Sequence, residues 1–224
     1  MIVIDYNQTF ISNYMAETRG RPDVEMNIDL LRHMILNQIR KYRTQFTDEF
    51  GEVVIACDNR HYWRREVYPY YKASRKKTRE SSGHDWSSIF DALHQIRTEL
   101  DEYLPYPVID VDGAEADDVI AVIKNELRRV QPNRKIIIIT GDHDFLQLND
   151  ENTSIVNLKN KDLTEKSCGD PEKDLLKKII QGDSSDNINS VFDKCGAKTT
   201  QKYIENMELF YEKIEKDQKA KKKF

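Results

Sequence analysis

The chain has 224 residues, of which 38% are hydrophobic and 33% charged, and its formal net charge is −4. This length suits one large domain, or one domain with a small appendage, and allows a sizeable core. No stretch approaches the ~20 apolar residues of a membrane helix, Asp5 interrupts the first apolar run, and Cys57, Cys168 and Cys195 form no CxxC pair, so we expect no membrane span, secretory signal, disulfide framework or zinc site.

Short apolar runs alternate with segments of helical periodicity along most of the chain. The runs that read as strands are Ile2–Ile4, Val53–Cys57, Val108–Val111 and Ile136–Ile139. They are near-continuous rather than alternating, which is typical of parallel strands covered on both faces. Residues 28–43, 86–104 and 116–130 place apolar side chains at helical spacing, and from about residue 165 only helix-like segments follow. The sequence therefore predicts an α/β fold, with a mainly parallel central sheet flanked by helices and a C-terminal helical appendage.

Acidic residues follow every strand-like run. They are Asp5, Asp58, Glu115, Asp117, Asp118, Asp142 and Asp144. Any one of them is explained by the preference of acids for turns and helix starts, but the recurrence after every strand favours a shared site. In open parallel sheets, ligands bind outside the carboxyl ends of the strands. Oxygen ligands without Cys or His select hard cations such as Mg²⁺ or Mn²⁺, and two such ions suit phosphoryl-transfer chemistry.

Residues 60–79 combine aromatic and cationic side chains. Cationic side chains pair with phosphates, and aromatic rings stack on unpaired bases. If residues 70–80 are helical, four cations share one face: Lys72, Arg75, Lys76 and Arg79. A solvated basic loop over packed aromatics is the alternative interpretation. Because residues 60–79 directly follow Asp58, one of the acids predicted to bind a cation, the sequence favours a site that cleaves nucleic acid.

Five segments, in order, resemble the flap endonuclease or 5′-nuclease family, and within it the bacteriophage ribonuclease H branch. They are "VIDYNQ", "CDNRHYWRREVYPYYKASRKKTRE", "EADDVIAV", "TGDHDFLQL" and "GDSSDNI". The resemblance implies a PIN-like nuclease core over residues 1–164, with a helical arch or bridge region at about 60–85. It also implies a helical DNA-binding region over 165–224, containing a helix–three-turn–helix from about 173 to 206.

The resemblance also implies roles for individual residues. Two Mg²⁺ ions, replaceable by Mn²⁺, would be held by Asp5, Asp58, Glu115, Asp117, Asp118, Asp142, Asp144, Asp183 and Asp186. Lys72 and Arg79 would contact the scissile phosphate and form the catalytic set together with Asp58 and Asp142. Nucleic acid would be bound by Arg64, Arg65, Tyr71, Lys72, Arg75, Lys76, Arg79, Gly196, Lys198 and Thr199.

The activity implied is that of a Mg²⁺-dependent 5′-to-3′ exonuclease and flap endonuclease. Its substrates would be DNA with a 5′ flap or 5′ end and RNA–DNA hybrids, so that it removes RNA primers during phage DNA replication. We expect a monomer in the cytoplasm of a phage-infected bacterium, with a replication single-strand-binding protein or clamp as a further partner.

Two other functions stay open on the sequence. The stretch "VIDVDGA", residues 108–114, resembles the strand–DxD signature of haloacid-dehalogenase-like phosphatases, with Asp110 as nucleophile and Asp112 as acid. Ala114 stands where that signature has Thr or Val. The other is a non-catalytic nucleic-acid-binding relative. Cleavage of a 5′-labelled flap separates both from the nuclease.

Overall fold

A single all-parallel sheet organises the N-terminal part of the protein. The computed structural model of the chain describes residues 1–193 and 195–223. Its strands are β1 (Ile2–Asp5), β2 (Val53–Ala56), β3 (Val108–Ile109), β4 (Ile136–Ile139) and β5 (Thr153–Val156). Their spatial order is β3-β2-β1-β4-β5, and every neighbouring pair is parallel. The predicted fold class is therefore confirmed. In detail, β5 was missed, β1 ends one residue later than predicted, β2 ends one residue earlier, and β3 ends two residues before the predicted Val111.

Helices connect and cover the strands. They are α1 (Tyr6–Glu17), α2 (Ile28–Phe50), α3 (Trp63–Val67), α4 (Ser74–Ser81), α5 (Trp86–Tyr103), α6 (Ala116–Val130), α7 (Pro171–Gln181), α8 (Ala197–Glu205), α9 (Met207–Lys216) and α10 (Gln218–Lys223). Two 3-10 turns span His143–Leu148 and Thr164–Lys166. The helices predicted at 28–43, 86–104 and 116–130 correspond to α2, α5 and α6, although α2 continues to Phe50.

The sheet is buried on both faces, which explains why its strands read as continuous apolar runs. Ile2 and Ile4 point into a core formed with α1, α2 and α5, whereas Val3 between them joins a second core under α6. A third apolar cluster, around Phe192 and Phe210, belongs wholly to the C-terminal helices and to the loop between α7 and α8. This separation agrees with the predicted division near residue 165, which stays a prediction.

The region after residue 165 contains helices and loops, as expected, in the part of the chain that the structure describes. Only an isolated bridge between Asp183 and Ile188 adds β-type pairing there. Within residues 1–193 and 195–223, no helix combines the length and the apolar character needed to cross a membrane.

Candidate metal centre and nucleic-acid interface

Four of the predicted acids form what we call the unpaired quartet: Asp5, Asp58, Asp117 and Asp142. The register that pairs Asp5 with Ala56 brings the ends of β1 and β2 together, and Asp142 follows the neighbouring β4. The side chain of Asp58 is tied to the start of α6, because the Ala116 N–H donates to its Oδ1 at 2.8 Å. Among the described residues, no Lys, Arg or His lies within ion-pair distance of these four carboxylates, whereas the neighbouring acids are paired.

Burial and mutual repulsion raise the pKa of three members of the quartet. Burial, and then the charge of Asp58, raise the pKa of Asp5 to about 7. Burial, and then the charges of Asp5 and Asp58, raise the pKa of Asp117 to about 8. Burial also raises the pKa of Asp58, although the Ala116 N–H and Lys72 oppose it. The quartet thus gathers carboxyl groups whose ionisation is costly in the protein alone, and a bound cation would relieve that cost.

Glu115 lies in the opposite situation, because three donors already surround its buried carboxylate. Lys72 Nζ contacts Oε1 at 2.6 Å, Arg64 contacts Oε2 at 3.0 Å, and the Tyr71 hydroxyl donates to Oε2 at 2.8 Å. Arg64 also forms a two-pronged pair with Asp118, at 2.7 and 2.8 Å. Glu115 and Asp118, predicted as metal ligands, therefore hold the arch region against the start of α6.

The remaining predicted ligands also carry cationic partners. Lys178 of α7 pairs with Asp144 and lies 2.8 Å from Asp183, while Arg75 contacts Asp186 at 2.7 Å. Burial would raise the pKa of Asp183, but hydrogen bonds from Lys178 and Ser185 lower it to about 2. Burial raises the pKa of Asp144 even though Lys178 opposes it. These three predicted ligands are thus neutralised by protein cations in this structure, and their role as metal ligands stays a prediction.

The arch region does not form the predicted helix over residues 70–80. Helix α4 begins only at Ser74, and Lys72 precedes it with a φ of +55°, in the left-handed region. The condition for a shared helical face is therefore not met, and Lys72 does not lie on one face with Arg75, Lys76 and Arg79. The physical reason is that the Lys72 N–H donates to the Asp186 carbonyl oxygen at 3.0 Å instead of to a helical turn.

The other cations of the arch region point in different directions. The guanidinium of Arg79 lies over the rings of Trp86 and Phe90, at 5.4 and 5.0 Å from their centroids. Burial lowers the pKa of Arg79. The side chain of Lys76 is 86% exposed, and Arg65 stacks over Tyr62 at 4.7 Å. We call all nine predicted metal ligands the acid cluster. Of the two cations predicted to contact the scissile phosphate, only Lys72 contacts this cluster, through Glu115.

The predicted C-terminal contacts lie together at the start of α8. Gly196 is the residue before the first turn of the helix, and its carbonyl accepts the Thr199 N–H at 3.0 Å. Lys198 and Gly196 are exposed. The three residues therefore form an open helix start that lies outside the acid cluster.

Residues that the sequence analysis did not single out support the quartet. Thr140 Oγ1 donates to Asp5 Oδ2 at 3.1 Å, and the Gln8 side-chain oxygen accepts from Thr140 and from the Gly141 N–H. The Asp58 N–H donates to Asn7 Oδ1 at 3.2 Å. Asn7 and Gln8 lie in the segment "VIDYNQ", two and three residues after Asp5, so their proximity to that acid was the available signal.

The phosphatase alternative is not favoured by the placement of its two acids. Asp110 is ion-paired with Arg97 and accepts a hydrogen bond from Asn59 at 2.8 Å. The side chain of Asp112 is 92% exposed and lies 3.9 Å from His61. A nucleophile and its acid must face one reacting phosphate, whereas these carboxylates have separate partners.

The chemistry of the quartet fits a hard divalent cation, because its four side chains offer oxygen donors without a competing ammonium or guanidinium group. Within residues 1–193 and 195–223, however, no three acidic, histidine or cysteine side chains are already arranged around a common metal position. Binding would therefore require the carboxylates to turn towards a shared ion, and relief of their repulsion would favour that movement.

Comparison with known proteins decides the family. Residues 1–178 match the family profile described as "5′-3′ exonuclease, N-terminal resolvase-like domain". The chain belongs to this family. The resemblance to this family that the five sequence segments predicted is therefore confirmed.

Individual relatives agree with that assignment. Ribonuclease H of Enterobacteria phage T4 is 37% identical over 194 residues, which cover 84% of this chain but only 62% of that protein. A 5′-3′ exonuclease of Buchnera aphidicola is 27% identical, covering 96% of this chain and 74% of the relative. The bacteriophage T5 flap endonuclease, solved as a pseudo-enzyme–product complex with DNA and metal ions, superimposes with a TM-score of 0.72 at 17% identity, over 91% of this chain and 74% of that one. The last comparison supports the fold.

Proposed function

We propose that the protein is a divalent-metal-dependent 5′ nuclease, which cleaves phosphodiesters near the 5′ ends of DNA or RNA–DNA hybrids. The observation that carries this proposal is the unpaired quartet at the carboxyl edge of the sheet, with Lys72 fixed beside it. A cluster of carboxylates attracts cations, and Lys72 presents a cation for a phosphate oxygen. The two features together suit a phosphodiester substrate, because the carboxylates would hold a metal ion and Lys72 would pair with the negatively charged phosphate.

The names of the relatives support the proposal. The T4 relative is a ribonuclease H, the Buchnera relative a 5′-3′ exonuclease, and the T5 neighbour a flap endonuclease crystallised with DNA and metal ions. Because this chain spans 62% of the T4 protein, the activity of that whole protein is carried over only as a proposal. Cytoplasmic location and the clamp or single-strand-binding partner stay predictions.

Asp5, Asp58, Asp117 and Asp142 would hold the first cation, Mg²⁺ or Mn²⁺. Such an ion supplies Lewis acidity, which makes a water more acidic and stabilises charge on the phosphate. Asp144, Asp183 and Asp186 would hold a second ion once Lys178 and Arg75 release them. Gln8 and Thr140 fix the turn after β4, so that Asp5 and Asp142 keep their orientation.

Lys72 and Arg75 would bind the substrate phosphate. In the protein alone, Glu115 and Asp186 neutralise these cations, at 2.6 and 2.7 Å. A phosphate oxygen can take over part of that pairing, and the transition state of cleavage carries more charge than the substrate does. Lys72 is therefore placed to stabilise the transition state of cleavage. Until the substrate binds, Glu115 holds the ammonium group of Lys72 beside the other acids.

The test is cleavage of a 5′-labelled flap and of an RNA–DNA hybrid, in Mg²⁺, in Mn²⁺ and in EDTA. We expect products with 5′-phosphate ends in either metal and none with the chelator. Wild-type protein that leaves both substrates intact in Mg²⁺ and Mn²⁺ contradicts the proposal.

A pair of matched variants separates this activity from the phosphatase alternative. Asp142→Asn removes a carboxylate of the quartet and should slow cleavage by about 100-fold or more, while substrate binding changes far less. Asp112→Asn makes the same chemical change at an exposed acid of the "VIDVDGA" stretch. The nuclease proposal expects wild-type cleavage from Asp112→Asn, whereas the phosphatase alternative expects hydrolysis of a phosphate monoester that this variant loses.

A further inference from the structure

The arch region is docked on the loop between α7 and α8. We call residues 68–75 the arch base and residues 182–190 the docking loop. The Tyr68 hydroxyl donates to the Asn187 carbonyl oxygen at 3.1 Å, and Asn187 Nδ2 donates to the Tyr70 carbonyl oxygen at 3.0 Å. The Lys72 N–H donates to the Asp186 carbonyl oxygen at 3.0 Å. These reciprocal contacts join two segments that are more than 100 residues apart in sequence.

Both sides of this contact contain a non-glycine residue in the left-handed region. Lys72 has a φ of +55° and Asn187 a φ of +62°. Asparagine tolerates this conformation, but lysine adopts it only when surrounding contacts hold it there, at a strain on the order of 1 kcal/mol. The Asp186 carbonyl oxygen holds the backbone of Lys72, and Glu115 holds its ammonium group.

The docking loop is itself rigid enough to act as a support. Asp183 and Ile188 exchange two backbone hydrogen bonds, at 2.9 and 2.7 Å. Gly182, with a φ of +72°, packs so closely that an added Cβ would lie 2.5 Å from the Asn189 carbonyl carbon. The same loop leads towards the exposed start of α8, where nucleic-acid contacts are predicted. Its position therefore links that surface to Lys72.

We propose that Asn187 is a positioning residue for Lys72. Its side-chain amide holds the Tyr70 carbonyl, its own carbonyl accepts the Tyr68 hydroxyl, and the arch base is thereby fixed with Lys72 directed at the acid cluster. The inference rests on the proposed nuclease function, in which Lys72 contacts the substrate phosphate. In the part of the chain that the structure describes, no hydrogen bond or ion pair joins Asn187 to the quartet or to Lys72, so we expect its effect to pass through the backbone of the arch base.

The variant that tests this role is Asn187→Gly, which keeps the left-handed backbone accessible and removes the side-chain amide together with its Cβ. Asn160→Gly is its matched control, because Asn160 has the same φ of +62° and its Nδ2 donates to Gln45 Oε1 at 2.5 Å, away from the acid cluster. Both variants gain the same backbone freedom in the unfolded chain. Tyr68→Phe removes the reciprocal hydrogen bond without changing either backbone.

Single-turnover cleavage in Mg²⁺ and substrate affinity in Ca²⁺ are then measured separately. Asn187→Gly should slow the cleavage step about tenfold or more, because a misplacement of order 1 Å weakens a reacting geometry strongly, while the dissociation constant changes little. Tyr68→Phe should slow cleavage in the same direction. Asn160→Gly should cleave at the wild-type rate. Equal rates for Asn187→Gly and Asn160→Gly overturn the inference.

A double-mutant comparison shows whether the effect passes through Lys72. In a Lys72→Met background, Asn187→Gly should cause no further loss of rate, since the group that it positions is already absent. An additive loss means that Asn187 acts by another route, and the inference is then wrong. If the wild-type protein fails to cleave, the proposed function itself is wrong. If the wild type cleaves and Asn187→Gly is equally active, only the role given to Asn187 is wrong.

Discussion

Asp117 illustrates how its surroundings decide what a carboxylate does in this site. Among the described residues it has neither a cationic partner nor a hydrogen-bond donor, and its pKa is raised to about 8 by burial and by the charges of Asp5 and Asp58. Glu115, two residues earlier, is saturated by Lys72, Arg64 and Tyr71. Neighbouring acids at one helix start therefore have different uses: Asp117 has no protein cation to pair with and would be ionised by a bound metal ion, whereas Glu115 anchors the arch region.

We predict that Asp117→Asn removes most of the thermal stabilisation that metal binding gives to the folded protein. In Mg²⁺ the wild-type protein should unfold at a higher temperature than in EDTA, because binding to the folded state alone stabilises by about 2.7 kcal/mol at a ligand concentration 100 times the dissociation constant. Asp117→Asn should remove most of that difference. Thermal unfolding followed by circular dichroism in each buffer measures it.

Asp112→Asn serves as the control, since it removes a carboxylate of the same type from an exposed position. It should keep the full difference between Mg²⁺ and EDTA. A wild-type protein whose unfolding temperature is the same in Mg²⁺, Mn²⁺ and EDTA contradicts the assignment of the quartet as a metal site.

Gly182 gives a second prediction for a single residue. A Cβ at this position would lie 2.5–2.6 Å from backbone atoms of residues 188–190, and the φ of +72° with a ψ of −176° is a conformation that essentially only glycine adopts. Gly182→Ala should therefore destabilise the protein by more than the ~1–2 kcal/mol that the left-handed conformation alone costs an alanine. Urea unfolding measures the difference in free energy.

Gly169→Ala is the control for that prediction. Gly169 has a φ of +82°, but nothing lies within 4 Å of an added Cβ. It should show the left-handed penalty alone. If the two variants lose the same free energy, the close approach at Gly182 does not constrain the docking loop.

Sequence reasoning located these acids but not their partners. The recurrence of Asp and Glu after each strand is a local pattern, and the parallel sheet brings such positions to one edge. The cation that pairs with Asp144 and Asp183 is Lys178, a partly exposed residue of α7 that belongs to no recognisable sequence motif. Most of the pairing cations lie more than 30 residues away in sequence, as Lys178 does from Asp144, and no periodicity records those contacts.

At the scale of elements, Asp150 joins α6 to the start of β5. Its carboxylate accepts from Arg128 at 2.8 and 3.0 Å, lies 3.0 Å from Lys124 Nζ and accepts from Thr153 Oγ1 at 2.8 Å. Burial would raise the pKa of Asp150, but the hydrogen bonds from Arg128 and Lys124 lower it well below its usual range. The edge strand is thus attached to its covering helix by a charge cluster.

This attachment should depend on pH with a defined sign. A carboxyl group whose pKa is lower in the folded than in the unfolded state stabilises the fold above its unfolded pKa of about 3.9, and the stabilisation is lost as the pH falls through the folded pKa. Asp150→Asn should therefore be less stable than wild type at pH 7. The gap in unfolding free energy should narrow as the pH is lowered below about 4. A gap that widens towards acid pH contradicts the role given to Asp150.

The elements that the sequence missed are those whose conformation depends on distant contacts. β5 is a short edge strand, "TSIV", with an exposed Ser154, and it is fixed by Asp150 and by pairing with β4. The start of α4 is set by the bond between Lys72 and Asp186 rather than by helix propensity. By contrast α6, whose apolar spacing and acidic start are local, was predicted with its observed bounds.

For the whole molecule, the distribution of charge matters more than its sum. The formal net charge of −4 would repel nucleic acid, and the quartet adds local negative potential at the carboxyl edge of the sheet. Exposed cations such as Lys76, whose ammonium lies 4.0 Å from Glu80, belong to the arch region, whereas Lys135 precedes β4 at the opposite edge and pairs with Glu49 at 2.7 Å. We therefore expect a polyanion to bind only on the side of the protein that carries the arch region.

Salt dependence of binding tests this asymmetry. In the Asp142→Asn background, which we expect to bind without cleaving, the logarithm of flap-DNA affinity should fall linearly with the logarithm of salt concentration. Lys76→Ala should reduce the magnitude of that slope by about 1, because one phosphate contact is lost. Lys135→Ala changes the net charge by the same amount but should leave the slope unchanged. If both substitutions change the slope equally, net charge rather than the arch region governs association, and the nucleic-acid interface assigned to this face of the protein is wrong.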